Sequence, residues 1–186
     1  MKILSLLGSP KKNGNTAHAL NYLEEQLKQQ NHEVKHIHVS SLSIEGCREC
    51  YWCKQEGNFL CCNNDDAIPI LKEMVDADAI LFSAPTFCWG FPAQMKALLD
   101  RMFCLLSWKE GDTESKSLLE GKTMALIVTA GGEVENNAEL LGIAFNNMVE
   151  FMNCKSAGIV YIAPCEGIQS INDSIKQQLD KLSKNF

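Results

Sequence analysis

Apolar residues along this chain fall into two patterns that take turns. Short apolar runs occupy Lys2–Leu7, Asp78–Ser83, Lys122–Thr129 and Ser156–Ala163, and Glu33–Val39 alternates apolar with polar residues. Runs of this length read as strands, with the alternating one near a sheet edge. Between them, apolar residues recur at helical spacing. Thr16–Gln30 carries Leu20, Leu23 and Leu27. The stretch opened by Asp65-Asp66 carries Ile68, Leu71, Met74 and Val75, and the next carries Met95, Leu98, Leu99, Met102 and Leu105. Asn136–Met152 follows with Leu140, Leu141, Ala144 and Met148, and Ile168–Leu182 with Ile171, Ile175, Leu179 and Leu182 facing in. Each helix has a polar outer side, as a surface helix over a sheet requires. Trp108–Ser117 reads as a charged surface loop.

The chain therefore reads strand–helix five times, with no repeat, linker or low-complexity tract. Continuous apolar strands alternating with amphipathic helices give an α/β fold with a parallel sheet covered on both faces. Five strands favour the order 2-1-3-4-5, whose ligand crevice lies outside the carboxyl ends of strands 1 and 3. The loops after strands 1, 3 and 4 (residues 8–16, 85–92 and 129–134) converge on that crevice. At 186 residues one domain, 1–186, is expected, with a cysteine-rich insertion at about 47–62.

The first of these loops has its own chemistry. In MKILSLLGSPKKNGNT a strand runs into a glycine-, hydroxyl- and amide-bearing loop and then into a helix. The first turn of a helix offers unpaired N–H groups at the positive end of its dipole, so a phosphate fits there. Gly8 and Gly14 let the backbone approach, and Lys11 or Lys12 adds charge. No Gly-Lys-Ser/Thr closes the loop and it is not G-x-G-x-x-G. The residues alone support a phosphomonoester site and a plain strand–helix turn equally.

GSPKKNGNT resembles the phosphate-binding loop of the NAD(P)H-dependent FMN reductase branch of the flavodoxin-like flavoproteins. The resemblance implies a flavodoxin-like three-layer sandwich. It also implies phosphate contacts from Ser9, Lys11, Asn15 and Thr16, with backbone help from Asn13 and Gly14. It continues in PTFCWGFPAQMKALLDR, through Pro85, Phe87, Gly90, Ala93, Gln94, Lys96, Asp100 and Arg101. A flavin needs a flat apolar wall and nearby backbone N–H groups, which an aromatic–glycine loop supplies. Pro85, Thr86, Phe87, Cys88, Trp89 and Gly90 would line the isoalloxazine edge, with Lys96 near the site or steadying its loop. The plainer alternative makes Phe87, Trp89 and Phe91 core aromatics. Asp100 and Arg101 read as a structural ion pair. Cys88 departs from the larger residue many relatives have, and a small packed cysteine is the commoner role. Ala130, Gly131 and Gly132 would approach the ring from strand 4, although a simple turn would look the same.

Composition changes this picture in two places. The formal net charge is -6, and Arg48 and Arg101 are the only arginines among seventeen basic residues, which argues against nucleic acid. No apolar run approaches the roughly 20 residues of a membrane span, and the start of the chain lacks a signal-peptide layout, so a cytoplasmic protein is expected. Nine cysteines point to metal or redox use in a reducing compartment. Cys47, Cys50, Cys53 and Cys61 follow the spacing C-x2-C-x2-C-x7-C, and Cys62 comes next. Four thiolates suit zinc or an iron–sulfur cluster, and free thiols in a loop over the crevice are the alternative. This run is similar to that of the iron–sulfur flavoproteins, which implies a [4Fe-4S] cluster on Cys47, Cys50, Cys53 and Cys61, with Cys62 as a substitute. Cys104 and Cys154 read as core, and Cys165 is open. His32, His36 and His38 read as solvent-facing.

The function implied is that of an FMN-dependent oxidoreductase. NAD(P)H would be the donor, and a quinone, nitro- or azo-aromatic, flavin or metal the acceptor. No general acid or base is demanded, so no catalytic side chain is named. A homodimer or higher homo-oligomer is implied by relatives that complete the crevice with a second subunit. A different reading is an electron-transfer protein that works with a ferredoxin-like partner and does not use NAD(P)H. A receiver domain would need an acceptor Asp where Ser83-Ala84-Pro85 ends strand 3, and a small phosphatase would need a Cys and an Arg within residues 8–16. Three converging loops argue against a purely structural module.

Overall fold

The computed structural model describes residues 1–55, 58, 60–107 and 116–186. Most of the expected loop at Trp108–Ser117 lies outside them. Five parallel strands form the sheet: β1 (Lys2–Leu7), β2 (Glu33–His38), β3 (Ala79–Pro85), β4 (Thr123–Thr129) and β5 (Lys155–Ile162). Their order is β2-β1-β3-β4-β5, as the strand–helix alternation predicts. Leu106–Ser107 and Lys116–Ser117 add a small antiparallel ribbon.

Strand side chains alternate between two cores, which is why the central strands read as continuous apolar runs. Leu4, Leu6, Ile80, Phe82, Met124 and Leu126 face α2 (Ala67–Asp76), α3 (Ala93–Arg101) and α4 (Glu139–Phe151). Ile3, Leu7, Leu81, Ala125 and Ile127 face α1 (Asn15–Gln29) and α5 (Asp173–Ser183). No helix among the described residues is long and apolar enough to cross a membrane.

Two boundaries and one buried helix face differ from the sequence reading. The last helix starts at Asp173, not Ile168, because Asn172 caps it by accepting from Ile175 N at 3.1 Å; Ile168–Ser170 forms a separate 3₁₀ turn. The regular part of α4 starts at Glu139, because Glu135 is extended and Asn136 is left-handed (φ 53). Its inner face is Leu141, Gly142, Phe145 and Val149, which leaves Leu140 and Ala144 on the outside. Phe145 stacks edge-on to Phe82 with ring centroids 6.2 Å apart.

Gly142 lets α4 lie against β5. A Cβ there would sit 1.7 Å from Tyr161 Oη and 2.9 Å from Cζ. Gly142→Ala is expected to cost about 1–3 kcal/mol by overpacking. Tyr161→Phe in the same chain should recover part of it, since it removes the nearer atom. Urea denaturation of the two singles and the double would measure this coupling, and additive costs would show that Tyr161 swings clear.

Candidate functional site

The loop from Gly8 to Gly14 leaves the carboxyl end of β1 and is held from behind. Gly8 N donates to Ser83 O at 2.8 Å. Ser40 Oγ donates to Gly8 O at 2.6 Å, and His38 Nε2 lies 2.7 Å from Ser9 O. A carbonyl only accepts, so His38 Nε2 carries the hydrogen. The solvent-facing expectation therefore fails for His38, and His36 is bonded to the buried Glu24 at 2.7 Å. Two loop carbonyls are thus occupied on the β2 side.

The front of the loop is built from donors. Gly14 N donates to Lys11 O at 3.1 Å and closes the turn that leads into α1. Gly14, at the N-cap position, is extended (φ -86, ψ 176) and offers no side-chain cap. The first N–H groups of α1, from Asn15 onward, therefore lack intrahelical partners. Thr16 is buried and shares a hydrogen bond of 2.7 Å with Thr129, which ties the start of α1 to the end of β4.

These groups border a cleft of about 280 Å³. Ser9, Lys11, Gly14, Asn15 and Thr16 line it from the first loop, Pro85, Thr86 and Phe87 from the end of β3, and Ala130 and Gly131 from the end of β4. Asn13, Cys88, Trp89, Gly90 and Gly132 lie outside that lining, in the same loops. Pro10 and Thr129, within the loops 8–16 and 129–134 read as facing the crevice, also line it, and so does Cys165, which lies outside those loops. Nothing in the sequence marks Cys165. Thr86 Oγ1 is buried without a hydrogen-bond partner, the condition expected of an atom waiting for one from a ligand.

Phe87 and Trp89 are 49% and 64% exposed, so neither is a core aromatic. They belong to a tight turn in which Phe87 and Gly90 exchange two hydrogen bonds of 3.0 Å. Cys88 (φ 47) and Trp89 (φ 61) are both left-handed, a conformation costing on the order of 1–3 kcal/mol per non-glycine residue. The turn presents the Phe87 ring to the cleft and leaves the Trp89 ring in solvent.

A second cavity of about 400 Å³ is lined by Cys47, Cys50, Cys53, Cys61 and Cys62, with Tyr51 and Phe103 among its walls. Cys50 Sγ and Cys62 Sγ are 3.7 Å apart. The backbone N–H of Trp52, then the Cys62 thiol, lower the Cys50 pKa, while the shared hydrogen bond raises that of Cys62. Burial raises Cys53, and pushes Cys104 up to about 12 and Cys154 to about 11, in keeping with core roles for the last two. Among the described residues no three His, Cys, Asp or Glu side chains converge as one metal ion would need. The donor set nonetheless suits a soft metal centre, and a cluster spreads its ligands wider than a single ion does.

The thiol cavity is fastened by Arg101, which is 1% exposed. Its Nη1 donates to both carboxylate oxygens of Asp65, and Nη2 donates to Asn63 O at 2.7 Å. Asp65 also accepts from Glu45 N at 2.8 Å and from Ala67 N at 3.0 Å, which caps α2. Burial works against the Asp65 carboxylate, but the bonds from Arg101, Glu45 N and Ala67 N outweigh it and hold its pKa below the usual range. The expected Asp100–Arg101 pair is thus replaced by two others. Asp100 binds Lys96 one helical turn earlier at 2.6 Å, and Arg101 turns inward to Asp65. An exposed Lys96 bound to Asp100 is an ordinary helix-surface pair.

A family model described as NADPH-dependent FMN reductase matches residues 1–158. An iron–sulfur flavoprotein of Archaeoglobus fulgidus is 33% identical over 102 residues, 55% of this chain and 46% of that protein. Matches to several such relatives span about half their length. Among solved structures, an NAD(P)H:quinone oxidoreductase from Methanothermobacter marburgensis superposes with a TM-score of 0.76 at 15% identity, covering 100% of this chain and 98% of that one. An FMN-dependent NADH-azoreductase from Bacillus anthracis, solved in complex with FMN, gives 0.73 at 15% identity over 99% and 98%. At these identities the structures establish the shared flavodoxin-like fold.

Proposed function

The chain belongs to the NADPH-dependent FMN reductase family, and from that premise we propose that it is an FMN-dependent NAD(P)H oxidoreductase of a single domain. The observation that carries the reading is the cleft itself. An uncapped helix N-terminus and an unpartnered buried hydroxyl, Thr86 Oγ1, border the same space. The residues present fit the cofactor.

In this reading Ser9, Lys11, Asn15 and Thr16, with the backbone at Asn13 and Gly14, hold the phosphate. His38 and Ser40 keep the carbonyls of Ser9 and Gly8 occupied behind the loop, so that its donors face forward. Thr86 donates to the bound group and loses its orphan status. Pro85, Phe87, Cys88, Trp89 and Gly90 wall the ring on one side, and Ala130, Gly131 and Gly132 on another. Phe87 and Trp89 exclude water and give a planar acceptor a surface to stack on. Bound FMN supplies the redox chemistry, accepting a hydride and passing electrons on, and the side chains bind and orient. A quinone fits the acceptor role, as do nitro- and azo-aromatics, free flavin and metal ions. The protein works in the cytoplasm as a homodimer or higher homo-oligomer.

A second reading is favoured by the five thiols lining one cavity and by the names of the relatives. Cys47, Cys50, Cys53 and Cys61 would hold a [4Fe-4S] cluster, with Cys62 as the neighbouring thiol. The cluster would exchange single electrons with a ferredoxin-like partner.

Absorption spectra of protein purified without oxygen, before and after NADPH, test both readings. Two flavin bands that bleach with NADPH are expected of the reductase. Flavin bands with a broad brown shoulder that respond to reduced ferredoxin and not to NADPH would move the assignment to the electron carrier. A colourless protein that fails to take up added FMN would remove both.

A further inference from the structure

The fastening of the thiol cavity is uneven. Cys61 is half-buried and lies beside the buried Arg101. Cys53 is half-buried, while the Cys47 sulfur accepts from Glu49 N at 3.5 Å. Cys50 and Cys62 are different. Both are exposed, both lie outside helices and strands, and their sulfurs touch at 3.7 Å. A disulfide needs the sulfurs at about 2.05 Å, a distance that side-chain rotation and a small loop adjustment can reach from here.

We propose that Cys50 and Cys62 form a redox-active dithiol that closes to a disulfide. The oxidant is a low-molecular-weight disulfide. The Cys50 thiolate attacks one sulfur of the reagent, forming a mixed disulfide and releasing one thiol. The Cys62 thiolate then attacks the Cys50 sulfur, the Cys50–Cys62 bond forms and the second thiol leaves. Two protein thiols are oxidised by two electrons in all, the reagent is reduced to two thiols, and the two protons end on those thiols. Exposure of both sulfurs gives the reagent access. Closure also withdraws Cys50 from the metal-ligand set, so the oxidised chain cannot load a four-cysteine cluster. That consequence rests on the second reading above, whereas the crosslink does not.

The test uses the full chain, reduced and stripped of metal with a chelator, then treated with oxidised glutathione. Free thiols are alkylated, and the protein is digested without reduction for mass spectrometry. The expected result is two fewer alkylated cysteines than the nine of the reduced chain and a linked Cys50–Cys62 peptide. Cys62→Ser should instead trap one glutathione on Cys50. Nine alkylated cysteines after oxidation, a crosslink between other cysteines, or a wild-type Cys50–glutathione adduct that never resolves would overturn the proposal. Reconstitution with ferrous iron and sulfide separates the two ideas. Iron uptake by reduced protein with no crosslink after oxidation sinks the dithiol and keeps the cluster. A crosslink with no iron uptake in either state keeps the dithiol and sinks the cluster.

Discussion

Asn15→Asp is expected to bind FMN on the order of 100-fold more weakly than the native chain while its ligand-free form melts no lower. Asn15 is the first residue of α1 and borders the cleft. A carboxylate there meets the free N–H groups and the positive end of the helix dipole, worth about 0.3–1 kcal/mol to the empty protein. The same carboxylate repels a phosphate. Two unit charges about 5 Å apart at an effective dielectric near 20 interact by roughly 3 kcal/mol, which corresponds to about two decades in affinity. Fluorescence titration measures the loss. Riboflavin, which has no phosphate, should bind native and variant protein alike. Equal weakening of both ligands would place the phosphate somewhere other than the start of α1.

Asp65→Ala should cost about 3–5 kcal/mol, because it leaves the guanidinium of Arg101 buried and uncompensated. Against a usual stability of about 5–15 kcal/mol this is severe. Asp65→Ala with Arg101→Met should cost less than Asp65→Ala alone, since the stranded charge is gone. Native Asp65 has a depressed pKa in the folded state, so its contribution is fully present above the unfolded carboxylate pKa and is lost as pH falls through the folded value. Urea midpoints measured from neutral pH downward should therefore fall more steeply for the native chain than for the double variant. Parallel profiles would show that another carboxylate sets the acid limb.

The strands and their order were legible because each central strand is buried on both faces. Ile3-Leu4 and Ala79-Ile80 each send neighbouring residues into opposite cores, so both strands read as apolar runs broken only by the small buried Ser5 and Ser83. Helix starts were less legible. Asn172 is an ordinary capping residue, but Ile168 and Ile171 fit the same spacing as the true inner face and extended the apparent helix. The parts of the cleft formed by residues 9–11, 14–16 and 85–87 were legible because a strand, a turn and a helix start follow one another there in the sequence. Arg101 was not. Its partner is 36 residues away, and a helical basic residue next to an aspartate has the pattern of a surface pair whichever way it turns. His38 was hidden for a similar reason, since alternation gives the face a residue takes and not the carbonyl it meets.

Helix α3 connects these observations mechanically. It runs nine residues, about 13 Å, from just after the Phe87–Gly90 turn to Arg101. Met95 and Leu98 are fully buried along it, and Met95 packs against Gly8 under the first loop. The helix is thus a single strut held at Met95 and Leu98, with the aromatic turn before its first residue and Arg101, which fastens the thiol cavity, at its last. Packing at Met95 and Leu98 therefore serves the cleft and the fastening of the thiol cavity at once.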